Sequence, residues 1–157
     1  MTLNSLFGTG RIAPGTGIFL ASLPGTGGRG ATMLAPMLVT DDGTRQFYYA
    51  STASGGVAAP QALIRVAAEA LLIGRPLAEA MASARIVALP ESANLLVETR
   101  MSAGEAAALR QRGYTLTTVP SIAQVNAIHC AEGLRNDEGG CVAVTDPRGF
   151  GLAVTTN

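Results

Sequence analysis

Residues 47–74 read FYYASTASGGVAAPQALIRVAAEALLIG, and the fold turns on how this stretch is parsed. Phe47 to Ser51 is rich in aromatic and β-favouring side chains and ends a strand that begins near Gln46. From Val57 to Ile73 the apolar residues Leu63, Val66, Ala67, Ala70 and Leu71 fall at helical spacing, with Arg65 and Glu69 four apart on the other face. Pro60 fits a helix only in its first turn, and Gly74 stands where a helix stops. Between strand and helix lie two adjacent glycines, Gly55 and Gly56. A helix start exposes unpaired N–H groups and carries partial positive charge. Residues without a Cβ let an anionic group come close to those N–H groups. The diglycine is therefore a candidate cradle for a phosphate, a carboxylate or the oxyanion of acyl transfer. The plainer alternative is a bend that only joins strand to helix. No P-loop lysine follows and no Gly-x-Gly-x-x-Gly pattern is present, which disfavours a nucleotide.

Outward from this junction, the same reading places a strand at Thr2–Phe7 and a Gly/Pro-rich segment from Gly8 to Gly17. An apolar piece, Ile18–Leu20, and a loop, Ser22–Gly30, come next. Thr32–Val39 is a strand that turns at Asp41-Asp42-Gly43 into the strand before the diglycine. After the long helix, Pro76 opens a second one over Leu77–Ala84. Leu95–Glu98 is a strand, and Ser102-Ala103-Gly104-Glu105 is a capping box for a helix ended by Gly113. Tyr114–Val119 is a strand. Ala123–Cys130 and Gly140–Thr145 form an antiparallel pair around a turn at Asn136 and Asp137. Strands, then helices, then strands predict an α+β domain spanning 1–157, without internal repeats.

Composition excludes several classes. The 157 residues carry 11 basic and 11 acidic side chains, so no basic field exists to hold nucleic acid, and at 4% aromatic residues stacking platforms are scarce. No apolar run has the length of a membrane span. With 48% hydrophobic and 14% charged residues, part of the surface is expected to be covered by another chain or segment. The opening MTLNSLFGTG has neither the charged nor the apolar region of a signal peptide, and the compartment, periplasmic or cytoplasmic, stays open. Cys130 and Cys141 are too few for a zinc site or a disulfide framework. They flank the turn of a hairpin, so a cross-strand disulfide is geometrically feasible; buried free thiols are the plainer expectation. His129, the single histidine, lies in an apolar strand and reads as a packed residue. Arg29, Arg85 and Arg148 read as solvated charge, with pairing to a partner chain as the alternative. No cofactor or metal is implied.

The first segment is more specific. TLNSLFGTGRIAPGTGIFL, residues 2–20, resembles the segment that follows the nucleophile in the γ-glutamyltransferase (γ-glutamyltranspeptidase) family, where members read close to TLNSLFGSGxxxPGTGIxL. Further resemblances follow in order. Thr32-Met33-Leu34-Ala35-Pro36 falls at a Ser-Ser-Met-Ser-Pro stretch, and Ser54-Gly55-Gly56 at Ser-Pro-Gly-Gly. Glu79-Ala80 with Ala84-Arg85-Ile86 resembles Glu-Ala…Ala-Pro-Arg. Leu109–Gly113 resembles Leu-Glu-x-x-Gly, and Thr145-Asp146-Pro147-Arg148 resembles Ser-Asp-Pro-Arg.

The resemblance implies an N-terminal-nucleophile hydrolase fold, an αββα sandwich here lacking its first strand, and the small subunit of a self-cleaving precursor. Its partner would be a large subunit or upstream segment, and its substrate a γ-glutamyl or other N-acyl amide. The family's catalytic threonine precedes the TLNSLFG segment, so the nucleophile is expected outside this sequence and the chain alone is expected to be inactive. Gly55 and Gly56 match the oxyanion-hole pair. Thr2 matches a threonine that supports the nucleophile, Asn4 a residue that holds the donor's amino group, and Thr32 the serine pair that binds the donor carboxylate. Where the family has an Asn-Asn-x-x-Asp-Asp run for the donor ammonium, this chain has Ala21-Ser22-Leu23-Pro24-Gly25-Thr26, with no carboxylate. A less polar acyl group is therefore expected. Two other readings remain: a decayed homologue serving as a folded interaction module, and a generic anion or phosphate site at the diglycine. A chain that starts inside a sheet also predicts an unpaired edge and self-association.

Overall fold

A computed structural model describes residues 7–22, 35–134 and 140–154. The chain divides into two units, 1–34 and 35–157. Of the first, the described part is a small hairpin. Ile12 bridges Phe19 in antiparallel sense, with Ala13 N–H donating to Ile18 O and Leu20 N–H to Arg11 O, both at 2.9 Å. Thr16 closes the turn between them, its N–H and its hydroxyl both donating to Ala13 O. The Gly/Pro-rich segment and the apolar piece after it are thus the two halves of one local structure. Residues 2–6 of the expected first strand, and residues 32–34 of the next, lie outside the described residues.

The second unit begins with β1 (Met37–Thr40) and β2 (Phe47–Ser54), paired antiparallel. The Asp41 carboxylate makes their turn: it accepts from the Thr44 N–H at 2.6 Å and the Thr44 hydroxyl at 2.8 Å. A 3₁₀ turn, Gly56–Ala58, leads from β2 into α1 (Ala59–Ala67), whose last stretch, Ala68–Leu72, is wound as a π-helix. Gly74, at φ 74°, ends it as the sequence predicts. There follow α2 (Leu77–Ala82), β3 (Ile86–Ala88), β4 (Asn94–Glu98), α3 (Ala103–Gln111), β5 (Thr115–Val119), β6 (Gln124–Cys130) and β7 (Cys141–Thr145). Strand β3 was not anticipated. It is three residues long and acquires its identity only by pairing with β4.

The strands form two sheets. One is antiparallel, in the order β1-β2-β6-β7; the other is β3-β4-β5, with β4 and β5 parallel and joined through α3. In the larger sheet, alternation decides what is buried. Tyr49, Ser51 and Ala53 of β2 and Val125 and Ala127 of β6 point one way, where all five are buried. There Tyr49, Ala53, Val125 and Ala127 meet Ala59, Ala62, Leu63, Val66, Ala67 and Ala70 of the α1 region and Leu77, Ala80 and Met81 of α2. This is the core. Burying a side chain of the Leu63 or Val66 type contributes about 1.5–3 kcal/mol, and the alanines let helix and sheet approach closely. The opposite face carries Leu38, Ala50, Ile128 and Ala143 in one cross-strand row and Thr52, Asn126 and Thr145 in the next. A groove of about 700 Å³ runs over it, edged by Leu152–Val154.

Two expectations are corrected here. Cys130 and Cys141 are not free thiols: they are joined, S–S 1.96 Å. The reason is register. The two residues are direct cross-strand partners of β6 and β7, with Cα atoms 4.1 Å apart. The turn assigned to Asn136 and Asp137 lies outside the described residues. His129 packs edge-on to Tyr49, ring centroids 6.2 Å apart, in keeping with a packed residue.

Candidate active site

The β2–α1 junction is built as a forced bend. Ser54 is the last residue of β2 to pair, opposite Gln124 at the start of β6. Gly55 then takes φ 140° and Gly56 φ 58°, both in the region that disfavours residues with a Cβ. Ala58 N–H donates to Gly55 O at 3.2 Å and Ala59 N–H to Gly56 O, which closes the 3₁₀ turn that opens the helix. The two glycines differ in their surroundings. A Cβ on Gly55 would fall 2.6 Å from Ala123 Cβ and 2.7 Å from Ala123 Cα; one on Gly56 would meet nothing within 4 Å. Both glycines are exposed, and among the described residues neither N–H meets an acceptor. Two adjacent backbone donors at the start of a helix, free of acceptors among the described residues, can receive a developing negative charge.

Behind this bend lies a buried charge cluster. Arg85, between α2 and β3, is 1% exposed. Its Nη1 donates to the carbonyls of Ile122 at 3.1 Å and Ala123 at 2.9 Å. Its Nη2 lies 2.6 Å from Asp146 Oδ2, an ion pair by distance without an aligned N–H, and its Nε has no partner among the described residues. The Arg148 side chain, also buried, pairs with Glu98 through Nη2 and through Nε, the latter at 2.5 Å to Oε1. It also donates to Met81 O, Ser83 O and Asp146 Oδ1. The two carboxylates receive backbone donors as well: Glu98 takes the N–H of Arg85 at 3.0 Å and of Ile122 at 2.7 Å, and Asp146 those of Val125 at 2.7 Å and of Arg148 at 3.0 Å. Two cations and two anions balance, which is what makes their burial tolerable.

The carboxylates show the balance in their titration. Burial pushes Glu98 upward, but the Arg148 side chain and the N–H groups of Arg85 and Ile122 outweigh it and hold the carboxyl below its ordinary value. Asp146 behaves alike: burial raises it, and the N–H groups of Val125 and Arg148, then the Arg85 charge, bring it below. Burial draws Arg85 below its usual value against the pull of Asp146, yet a guanidinium stays charged.

The sequence reading of Arg85 and Arg148 as solvated charge is therefore overturned. They pair within the chain, with carboxylates 61 and 50 positions away (Asp146 from Arg85, Glu98 from Arg148). The signal was present in Ala84-Arg85-Ile86 and Asp146-Pro147-Arg148, but sequence spacing does not reveal partners so distant along the chain. Of the other predicted site residues, Gly55 and Gly56 sit together at the bend. Thr2, Asn4 and Thr32, like Arg29, lie outside the described residues. Among the described residues no group of three or more His, Cys, Asp or Glu side chains is disposed to hold a metal, and no helix is long and apolar enough to cross a membrane.

Comparison with known proteins gives the class. The family model described as gamma-glutamyltranspeptidase matches residues 21–156, and the chain belongs to that family. Among solved structures, gamma-glutamyltranspeptidase from Pseudomonas nitroreducens, complexed with L-DON, is similar over all of this chain and 91% of its own, with TM-score 0.76 and 20% identity. A variant of the Helicobacter pylori gamma-glutamyltranspeptidase matches 95% of this chain and 91% of its own, TM-score 0.75, 19% identity. The Bacillus anthracis transpeptidase CapD matches all of this chain and 90% of its own, TM-score 0.73, 20% identity. The fold is thus the α+β fold of the N-terminal-nucleophile hydrolase type. No curated protein matches the chain.

Proposed function

We propose that this chain is the small-subunit part of a γ-glutamyltransferase-like amidohydrolase, with Gly55 and Gly56 as its oxyanion donors. The observation that carries the reading is the diglycine bend itself: two exposed glycines whose N–H groups have no acceptor among the described residues, at the family's Ser-Pro-Gly-Gly position. The nucleophile is an N-terminal threonine supplied from outside residues 1–157. Its hydroxyl attacks the amide carbon while its own α-amine takes the proton. The carbonyl oxygen becomes an oxyanion and receives the Gly55 and Gly56 N–H groups. Collapse expels the amine with a proton and leaves an acyl-threonine ester, which water or an acceptor amine resolves.

Thr2 supports the nucleophile, while Asn4 and Thr32 take part in holding the donor. Because Ala21–Thr26 offers no carboxylate for a donor ammonium, a less polar acyl group than γ-glutamyl suits the site better. The partner is a large subunit from the same precursor.

The test is to express residues 1–157 alone and within the precursor, and to assay γ-glutamyl anilide beside anilides of uncharged acyl groups. The expected result is no hydrolysis by residues 1–157 and hydrolysis by the processed protein, faster on the uncharged donors. No hydrolysis of any anilide by a processed heterodimer would favour a folded interaction module. Stabilisation by millimolar inorganic phosphate would favour an anion site instead.

A further inference from the structure

The buried charge cluster and the diglycine bend meet at Ala123. It carries a side chain yet sits at φ 53°, a left-handed conformation that alanine disfavours. Such a conformation persists where its surroundings over-determine it. Those surroundings are specific. Arg85 Nη1 holds the carbonyls of Ile122 and Ala123, Glu98 takes the Ile122 N–H, and Asp146 takes the Val125 N–H. The backbone is thereby gripped before, at and after Ala123, and Ala123 Cα and Cβ form the wall against which Gly55 rests.

We infer that Arg85 is a positioning residue for the diglycine bend: by clamping the Ile122 and Ala123 carbonyls it fixes the wall behind Gly55 and so sets where the Gly55 and Gly56 N–H groups aim. The inference rests on the oxyanion role proposed above for its consequence in catalysis, but not for its structural content. Arg85 touches no reacting atom. Its effect falls on stabilisation of the oxyanion, hence on kcat, and not on capture of the substrate. Lysine at this position keeps a charge for Asp146 but has no planar fork, and its single ammonium cannot reproduce the double carbonyl clamp together with that ion pair.

The experiment compares Arg85→Lys with Arg148→Lys in the processed full-length protein. Arg148 belongs to the same cluster and binds neither the Ile122 nor the Ala123 carbonyl, so it controls for loss of stability. Four quantities are read: thermal midpoint, kcat and KM on the best anilide, and hydrogen exchange of the Ala58 and Ala59 amides, whose bonds to Gly55 O and Gly56 O report on the bend. Arg85→Lys is expected to lower kcat roughly 10- to 100-fold with KM within about twofold, a loss no larger than that of one oxyanion donor, and to speed exchange at Ala58 and Ala59. Arg148→Lys is expected to lower the thermal midpoint at least as much while holding kcat within about threefold. Unchanged exchange at Ala58 and Ala59 in Arg85→Lys, or kcat losses that follow the thermal midpoint alike in both variants, overturns the inference. Faster exchange in Arg85→Lys when the parent protein turns over no anilide keeps the positioning role and removes the proposed activity.

Discussion

Gly55 and Gly56 are chemically identical and stand side by side, yet the fold treats them differently. Alanine at Gly55 must overlap the backbone and side chain of Ala123 as well as adopt φ 140°; alanine at Gly56 meets open space and bears only the cost of a left-handed φ of 58°. Gly56→Ala is expected to destabilise by about 1–2 kcal/mol and Gly55→Ala by clearly more, measured as urea midpoints. Equal losses would mean that Ala123 yields and is not a wall. The sequence singled out the pair by its place between a β-type and a helix-type run. It could not show which glycine is sterically obligatory, because Ala123 lies 67 positions beyond Gly56 and reaches Gly55 through the pairing of β2 with β6.

At the scale of elements, local chemistry proved a good guide wherever neighbours in sequence make the structure. The Ser102–Glu105 capping box is present in full: Glu105 N–H donates to Ser102 Oγ at 3.2 Å and Ser102 N–H to Glu105 Oε2 at 3.1 Å. Serine and its backbone hold the Glu105 carboxyl below its ordinary value. Helix α3 buries none of its residues, so its start depends on this cap more than on packing. Ser102→Ala is expected to cost about 1 kcal/mol and to speed hydrogen exchange at Glu105 first. An unchanged urea midpoint would show that the β4–α3–β5 crossover holds the helix without its cap. The turn at Asp41 and the stop at Gly74 were legible for the same reason. Strand β3 was not, and the Cys130–Cys141 bond stood only as the alternative to free thiols, since each follows from a strand register that local composition does not specify.

For the molecule as a whole, Glu98 and Asp146 join the two sheets: Glu98 ends β4 and holds Ile122 before β6, while Asp146, which follows β7, pairs with Arg85 just before β3. Both carboxyls have folded pKa values depressed below their unfolded ones. Their contribution is therefore present above the unfolded carboxylate range, near pH 4, and is lost as pH falls through the folded values. Stability is expected to be flat from neutral pH to about 5 and to drop steeply below about 4. Glu98→Gln leaves Arg148 buried with less counter-charge, which is expected to cost about 3–5 kcal/mol at pH 7 and to make the acid slope shallower. Urea midpoints between pH 3 and 7 measure both; an unchanged slope would place the linked protons elsewhere.

The sequence by itself determined the order of most elements, the helix caps and stops, the diglycine junction and, through TLNSLFGTG and the motifs after it, the resemblance to a family whose model matches residues 21–156. These are short-range facts, written in residues that touch their neighbours in the chain. Tertiary structure alone decided that Arg85 and Arg148 are buried, that the two cysteines meet, and that Ala123 stands behind Gly55. Burial and pairing of charges depend on which strands lie side by side, and that is set by long-range register and a shared core, not by the identity of the residues next in line.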